Sequence, residues 1–259
     1  MRKYAKVVSQ EPVGAGVFLL RLEAPAVAAA TSPGTFVMLR VSGGPEPLLA
    51  RPFSVHGAEG DHLLILYQVV GRGTEMLSRV EPGRELACWG PLGNGFNLDC
   101  QRPLLVAGGM GVAPLWFAAR AMAERGAEVS VLFGLAGAGG YSELLAVLQD
   151  QAEAGKISLS FTTEDGSLGE KGLVTHLMPQ ALERADRVLA CGPPAMLKAV
   201  ASLAAEAEVA CQVSLEAPMA CGVGACLGCV VPAVPGGGYL RVCQEGPVLG
   251  AARVDWERL

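Results

Sequence analysis

Over its first hundred residues the chain places its apolar positions in short runs broken by turn residues. KYAKVVSQ (3–10), GVFLLRLEA (16–24), GTFVMLRV (34–41), RPFSVHG (51–57) and HLLILYQVV (62–70) are rich in Val, Leu and Phe. Connections bearing Pro and Gly, such as TSPG and SGGPEP, separate most of them. Short apolar runs with such punctuation read as β-strands, and several in succession predict a small antiparallel β-barrel over residues 1–99. After Asn97 the rhythm changes. PLLVAGG, EVSVLFGLAG, ISLSFTTEDG, ADRVLACG and EVACQVSLE are strand-like and alternate with the helix-like VAPLWFAARAMAERG, YSELLAVLQDQAEAG, GLVTHLMPQAL and PPAMLKAVASLAAEA. This alternation predicts a doubly wound parallel sheet over residues 100–215, which would bind a nucleotide at its carboxyl edge. A tail rich in Gly and Cys, residues 216–259, follows the last strand directly.

Composition narrows the partners. The chain has 259 residues, 51% hydrophobic and only 17% charged, enough for a core divided between two domains and an appendage. The net charge is −5 and the pI near 5.3, with no basic stripe, which argues against nucleic acid. No apolar run reaches the roughly 18 residues of a membrane span, and MRKYAKVV holds no signal-peptide core. Eight cysteines without a secretory signature point to a reducing cytoplasm rather than a disulfide framework. His56, His62 and His176 are the only histidines, and none falls in an acid–base constellation.

The tail holds the most specific chemistry. In MACGVGACLGCVV, Cys221, Cys226 and Cys229 are spaced Cys-x4-Cys-x2-Cys, and Cys243 follows after thirteen intervening residues. That is the ligand run of plant-type [2Fe–2S] centres. Gly222, Gly224 and Gly228, between the ligands, let one loop bend around a small inorganic core. A structural zinc site ordinarily draws its thiolates from two separated pairs, so three ligands on one loop favour the cluster. Cys88, Cys100, Cys191 and Cys211 are expected to be small buried thiols.

Three further motifs suit phosphates or a ring. RPFS (51–54) and GRGT (71–74) share the β segment. Gly71 and Gly73 open a helix expected at Thr74, whose free N–H groups suit a pyrophosphate, and Arg51 can add a charged fork. LLVAGGMGVAP (104–114) reads as strand, glycine turn and helix, with Gly108, Gly109 and Gly111 allowing a diphosphate to approach the backbone. It is not a full GxGxxG, because Pro114 or its small neighbours stand where the last glycine is expected. The acidic residue expected at the end of the second strand is missing from FGLAGAGG, as is any Lys or Arg for a 2′-phosphate. ACGPPAM places Cys191 at the carboxyl edge of a later strand, followed by Gly192 and Pro193. The thiol either faces a nicotinamide or is buried ahead of a helix that the prolines start.

RPFS, GRGT, GPLGNGF, AGGMGVAP, TEDGSLGEKG, CGPPAML and SLEAPMACGVGACLGC, closed by RVCQEGPV, occur in the order found in the ferredoxin-reductase superfamily. More narrowly, nearly the whole chain resembles the electron-transfer subunits of the type B dihydroorotate dehydrogenases. The resemblance implies FAD in the barrel, NAD at the α/β domain and one [2Fe–2S] cluster. It implies that Arg51, Pro52, Phe53 and Ser54 line the flavin, with Ser54 near the reactive ring. Leu66, Tyr67 and Gln68 form a second contact strand by the same carry-over, and Gly73 and Thr74 bind the flavin diphosphate. Gln68 departs from the basic residue often found there. Ser54 and Cys191 are the candidate catalytic residues.

NADH gives up two electrons as a hydride and a cluster accepts one, so a flavin is the necessary converter. Nothing in the chain resembles a pyrimidine site. The implied partner is an FMN-containing catalytic subunit, two of each chain forming a heterotetramer. The small subunits of NADH-dependent ferredoxin:NADP oxidoreductases and of sulfide dehydrogenases share the fold and cofactors, but typically carry an aspartate among the cluster ligands. A non-redox binding module stabilised by zinc is the reading from another class; its protein would be colourless. Met219, Val223 and Leu227 are expected either to meet the partner or to pack around the cluster.

Overall fold

The structure is a computed structural model that describes residues 3–41 and 48–259; the SGGPEP connection lies outside those residues. The first part of the chain forms β1 (Lys3–Gly14), β2 (Val17–Glu23), a short helix α1 (Pro25–Ala28), β3 (Phe36–Arg40), β4 (Arg51–Ser54), β5 (Gly57–Glu59), β6 (His62–Gln68), α2 (Arg72–Leu77) and β7 (Glu85–Leu92). The strands make one seven-stranded antiparallel sheet, ordered β4-β3-β7-β1-β2-β6-β5. Leu20 and Leu22, Val37 and Leu39, Phe53 and Val55, and Leu63, Ile65 and Tyr67 all enter one buried cluster. Every second residue therefore faces inward, as a sheet with one apolar face requires. Among the described residues no ladder joins the edge strands β4 and β5.

Two local details differ from the sequence expectation. β7 does not read as a strand because Gly90 and Pro91 interrupt it, yet it sits between β3 and β1. The interruption falls at a register shift in the β3–β7 ladder, where the missing proline N–H removes no regular rung. Helix α2 begins before Thr74, whose Oγ1 turns back to accept the N–H groups of Val70 (3.0 Å) and Gly71 (3.2 Å).

The chain then forms β8 (Pro103–Gly108), α3 (Val112–Ala123), β9 (Ser130–Leu135), α4 (Ser142–Gly155), β10 (Ser158–Thr163), β11 (Glu170–Lys171), α5 (Met178–Leu182), β12 (Arg187–Cys191), α6 (Pro194–Glu206) and β13 (Cys211–Ser214). The tail adds the hairpin β14 (Val230–Pro232) and β15 (Tyr239–Arg241), then β16 (Val248–Gly250). The second sheet is ordered β11-β10-β9-β8-β12-β13-β16, parallel except for the antiparallel β16. Leu105, Val131, Phe133 and Leu189 pack on one face with residues of α3 and α4. Leu104, Val106, Leu132, Val188 and Ala190 pack on the other with residues of α5 and α6. Both faces are covered, which is the doubly wound arrangement.

β8 is the point from which the chain winds first to one side, through β9, and later to the other, through β12. Its carboxyl end is therefore the crevice where ligands bind in such sheets. One stripe of α3 seats this crevice on the first sheet. The carbonyl of Ala113 lies 3.0 Å from His56 Nδ1, Phe117 packs into the first sheet's core, and Arg120 reaches toward Glu59 at 4.0 Å. Burial, foremost, and the nearby Arg120 charge pull the His56 imidazole down to about 4, so it is neutral in this seam.

Candidate functional site

A cavity of about 490 Å³ opens between the antiparallel sheet and the carboxyl edge of the parallel one. β4 lines it with Arg51, Pro52, Phe53 and Ser54, β6 with Leu66, Tyr67 and Gln68, and α2 with Thr74. Gly73 lies behind Arg51. A Cβ there would stand 2.5 Å from Arg51 Nε, so the glycine leaves the guanidinium its seat. Arg51 is further held by donating to the Leu49 carbonyl. Tyr67 meets Phe53 edge-on at 5.8 Å and stacks on Phe18 at 5.7 Å. Its hydroxyl donates to Gln10 Oε1 at 2.9 Å, and Gln10 Nε2 donates to the Leu77 carbonyl at 3.0 Å. The tyrosine is thus fixed, and burial raises its pKa. An aromatic and aliphatic bed with a cation at its edge suits a planar ring joined to phosphates.

The far wall of this cavity was not foreseen. Met110 and Ala113 come from the glycine turn and α3, and Leu215, Glu216, Ala217, Pro218 and Met219 come from the chain leaving β13. Burial raises the pKa of Glu216 above the ordinary carboxylate value. Its only sequence signal is its place in the SLE string. Met219 faces this cavity and packs on the core of the second sheet. Val223 and Leu227 are instead 50% and 60% exposed.

A second cavity, about 730 Å³, lies over the ends of β8, β9 and β10. Gly108, Gly109 and Pro193 line it, whereas Gly111, Cys191 and Gly192 do not. Those three make the close packing beneath it. A Cβ on Gly111 would collide with the Cys191 carbonyl, and one on Gly192 would lie 3.1 Å from Gly108 Cα. Cys191 itself is 1% exposed, and burial, with the Glu216 charge, pushes its thiol up to about 12 although Ser214 hydrogen-bonds it. Of its two sequence readings, the geometry matches the buried thiol ahead of a helix.

The acidic group missing from the end of β9 is supplied in space from the end of β10. Glu164 and Asp165 both line the second cavity, and no Lys or Arg does so among the described residues. The Asp165 N–H donates to the Ala136 carbonyl at 3.2 Å, drawing the TEDG turn across FGLAG. Asp165 Oδ1 accepts from Ser167 Oγ (2.6 Å) and N (2.9 Å), and the Ser167 hydroxyl above all holds its pKa below the usual value. The clue was present as two adjacent acids after the third strand.

The four tail cysteines form two pairs. Cys221 Sγ accepts from Cys226, and Cys243 donates to Cys229 Sγ. Backbone donors point at the sulfurs: Val223 N–H to Cys221 Sγ at 3.4 Å, Gly224 N–H to Cys243 Sγ at 3.1 Å, and Cys243 N–H to Cys229 Sγ at 3.5 Å. The Val223 N–H leads in pulling the Cys221 thiol down to about 6, whereas burial, then Cys229, pushes Cys243 up to about 11. Among the described residues no three His, Cys, Asp or Glu side chains gather as the cage of a single ion. Two thiol pairs, three cysteines on one loop and Cys243 just beyond β15, are a donor set that two irons can share, each taking two cysteines. The loop is pressed on the antiparallel sheet, for a Cβ on Gly222 (φ 70°) would lie 2.7 Å from Met38 Cγ.

Residues 216–255 match the family described as the iron–sulfur cluster binding domain of dihydroorotate dehydrogenase B, and residues 105–202 match the oxidoreductase NAD-binding domain. The chain is 40% identical over 225 residues, 86% of each chain, to the dihydroorotate dehydrogenase B (NAD(+)) electron transfer subunit of Caldanaerobacter subterraneus subsp. tengcongensis. It is 37% identical, over 98% of each chain, to the protein of the same name from Desulforamulus reducens. Among solved structures it resembles an NADH-dependent reduced ferredoxin-NADP oxidoreductase with a TM-score of 0.85 and 29% identity, covering 98% of this chain and 91% of that one.

Proposed function

The chain belongs to the family of dihydroorotate dehydrogenase B (NAD(+)) electron transfer subunits, and we propose that it conducts electrons between a dihydroorotate-oxidising partner and NAD through FAD and one [2Fe–2S] cluster. One observation carries this reading: the three sites share a wall. Residues 215–219 line the first cavity and run directly to Cys221, while Met110 and Ala113, in and beside the nucleotide-side glycine turn, line the same cavity. Bound flavin supplies the exchange between a two-electron hydride and single electrons.

The chain's own residues divide the remaining work. Arg51 and the Gly73–Thr74 turn hold the flavin diphosphate. Phe53 and Tyr67 bed the ring, and the Ser54 hydroxyl is its hydrogen-bonding neighbour. Gly108 and Gly109 bring backbone against the diphosphate of NAD. Glu164 and Asp165 accept from the adenosine ribose and repel a 2′-phosphate. Pro193 and Gly192, backed by the buried Cys191, close the nicotinamide end. Glu216 holds a proton at the flavin wall more readily than an exposed carboxyl would. Cys221 with Cys226, and Cys229 with Cys243, hold the two irons.

On this reading residues 1–99 bind FAD, 100–215 bind NAD and 216–259 bind the cluster. The partner is a catalytic subunit carrying FMN, assembled as two of each chain, in the cytoplasm. No helix among the described residues is long and apolar enough to cross a membrane. The likeness to the ferredoxin-NADP oxidoreductase supports a second reading, in which ferredoxin and NADP replace the pyrimidine partner. Cysteine at all four ligand positions favours the first.

Anaerobic titration with NADH tests the proposal. Bleaching of a flavin band together with the paramagnetic signal of a reduced [2Fe–2S] cluster is expected. A colourless protein with stoichiometric zinc would defeat it.

A further inference from the structure

One charged pair beside the cysteine loop has no part in holding flavin or nucleotide. Arg241, at the end of β15, and Glu245 form a closed fork. Arg241 Nε lies 3.2 and 3.1 Å from the two carboxylate oxygens, and Nη2 lies 2.5 Å from Oε1. The Arg241 N–H also donates to Glu245 Oε2 at 2.7 Å. The remaining guanidinium nitrogen, Nη1, is 3.5 Å from the Gly224 carbonyl, and the Gly224 N–H donates to Cys243 Sγ at 3.1 Å. One residue, Gly224, therefore bridges the guanidinium and the Cys243 sulfur, through its carbonyl on one side and its N–H on the other. Gly224 has φ 78°, and a Cβ on it would lie 2.5 Å from Gln244 Cγ, so only glycine permits this approach. The turn is anchored from behind, where Asn94 Nδ2 donates to the carbonyls of Gln244 (3.1 Å) and Glu245 (3.0 Å).

Resting on the cluster reading above, we infer that Arg241 and Glu245 set the reduction potential of the cluster from the Cys229–Cys243 side. An electron arriving at the sulfurs is stabilised by a nearby fixed positive charge and opposed by a negative one. The pair holds both charges in place, with the guanidinium as the member turned toward Gly224. Asn94 and Gly224 hold this geometry by hydrogen bonds on either side, so the two charges act as a fixed dipole. Both residues are positioning residues.

The two members of one ion pair provide opposite tests. Arg241→Gln and Glu245→Gln both open the side-chain fork, so loss of the fork itself moves both variants alike. Electrostatic tuning moves them apart. In a redox titration of the holoprotein monitored by electron paramagnetic resonance, Arg241→Gln should lower the potential. The reduced-to-oxidised ratio at a fixed potential should fall roughly tenfold, which is 59 mV for one electron. Glu245→Gln should raise it, and Arg241→Lys should stay near the wild type. Iron and sulfide content, measured alongside, separates loss of cluster from a shift in potential. If Arg241→Gln retains no cluster, a rise in Glu245→Gln still supports the inference. Unchanged potentials, or shifts of one sign in both glutamine variants, would overturn it alone. Absence of a [2Fe–2S] signal in the wild type would overturn it together with the cluster reading.

Discussion

Arg51→Ala removes the one cationic side chain that lines the proposed flavin cavity among the described residues. The backbone of Arg51 pairs with Leu39 in the β3–β4 ladder and survives the change, so the cavity should keep its shape. A charge-assisted hydrogen bond to phosphate is worth about 1.5–3 kcal/mol. The dissociation constant for FAD should therefore rise roughly 10- to 140-fold. The half-buried setting of Arg51 favours the lower part of that range. Gly73→Ala supplies an independent arm. Its new Cβ, 2.5 Å from Nε, displaces the guanidinium without removing the charge, while alanine in α2 favours the helix by about 1 kcal/mol. Flavin should bind more weakly to a protein no less stable. Lys198→Ala is the control, since Lys198 pairs with Glu257 at 2.8 Å on α6. The assay is fluorescence titration of apoprotein with FAD. Unchanged affinity in Arg51→Ala would remove Arg51 from the site and the phosphate end from this edge of the cavity.

Three further outcomes follow from the geometry. Cys226→Ser should lower the iron and acid-labile sulfide content from about two irons per chain while most flavin stays bound; retention of both irons would take Cys226 out of the ligand set. Glu164→Gln combined with Asp165→Asn should narrow the preference for NADH over NADPH, read as the ratio of kcat/KM values with an artificial acceptor; an unchanged ratio would move the ribose contact elsewhere. His56, with a folded pKa of about 4, stabilises the fold fully above its unfolded value near 6.5, and this is lost as pH falls from 6.5 toward 4. The loss is roughly 3 kcal/mol, and His56→Gln should flatten that limb of urea midpoint against pH; an identical limb would show that His56 does not cause it.

The cysteine run and the glycine turn were legible because their chemistry is local. Four cysteines within twenty-three residues, or three glycines after a strand, can be read without knowing what lies opposite. The grouping of β4 with β6 was legible only through the resemblance, since nothing in RPFS or LYQ alone says that they line one hollow. The wall formed by residues 215–219 was not legible at all. It depends on β13 ending beside the antiparallel sheet, a contact between distant segments. Glu164 and Asp165 were missed for a related reason: the expected acid was sought after β9, whereas the turn after β10 folds across that strand's end. Met219, read as open to either a partner or the cluster's surroundings, lines the first cavity, and three residues on Gly222 packs the loop onto Met38.

The division of labour is the central claim, and mixing the chain with an FMN-bearing dihydroorotate dehydrogenase catalytic subunit, the partner proposed above, tests it most directly. NADH alone should let this protein reduce artificial acceptors, and dihydroorotate alone should leave it oxidised. On addition of the catalytic subunit, dihydroorotate should drive reduction of NAD+ at a rate neither chain shows by itself. Dihydroorotate oxidation by this chain alone, or no gain on mixing, would contradict the account, and a gain with ferredoxin and NADP in its place would transfer the chain to the other reading.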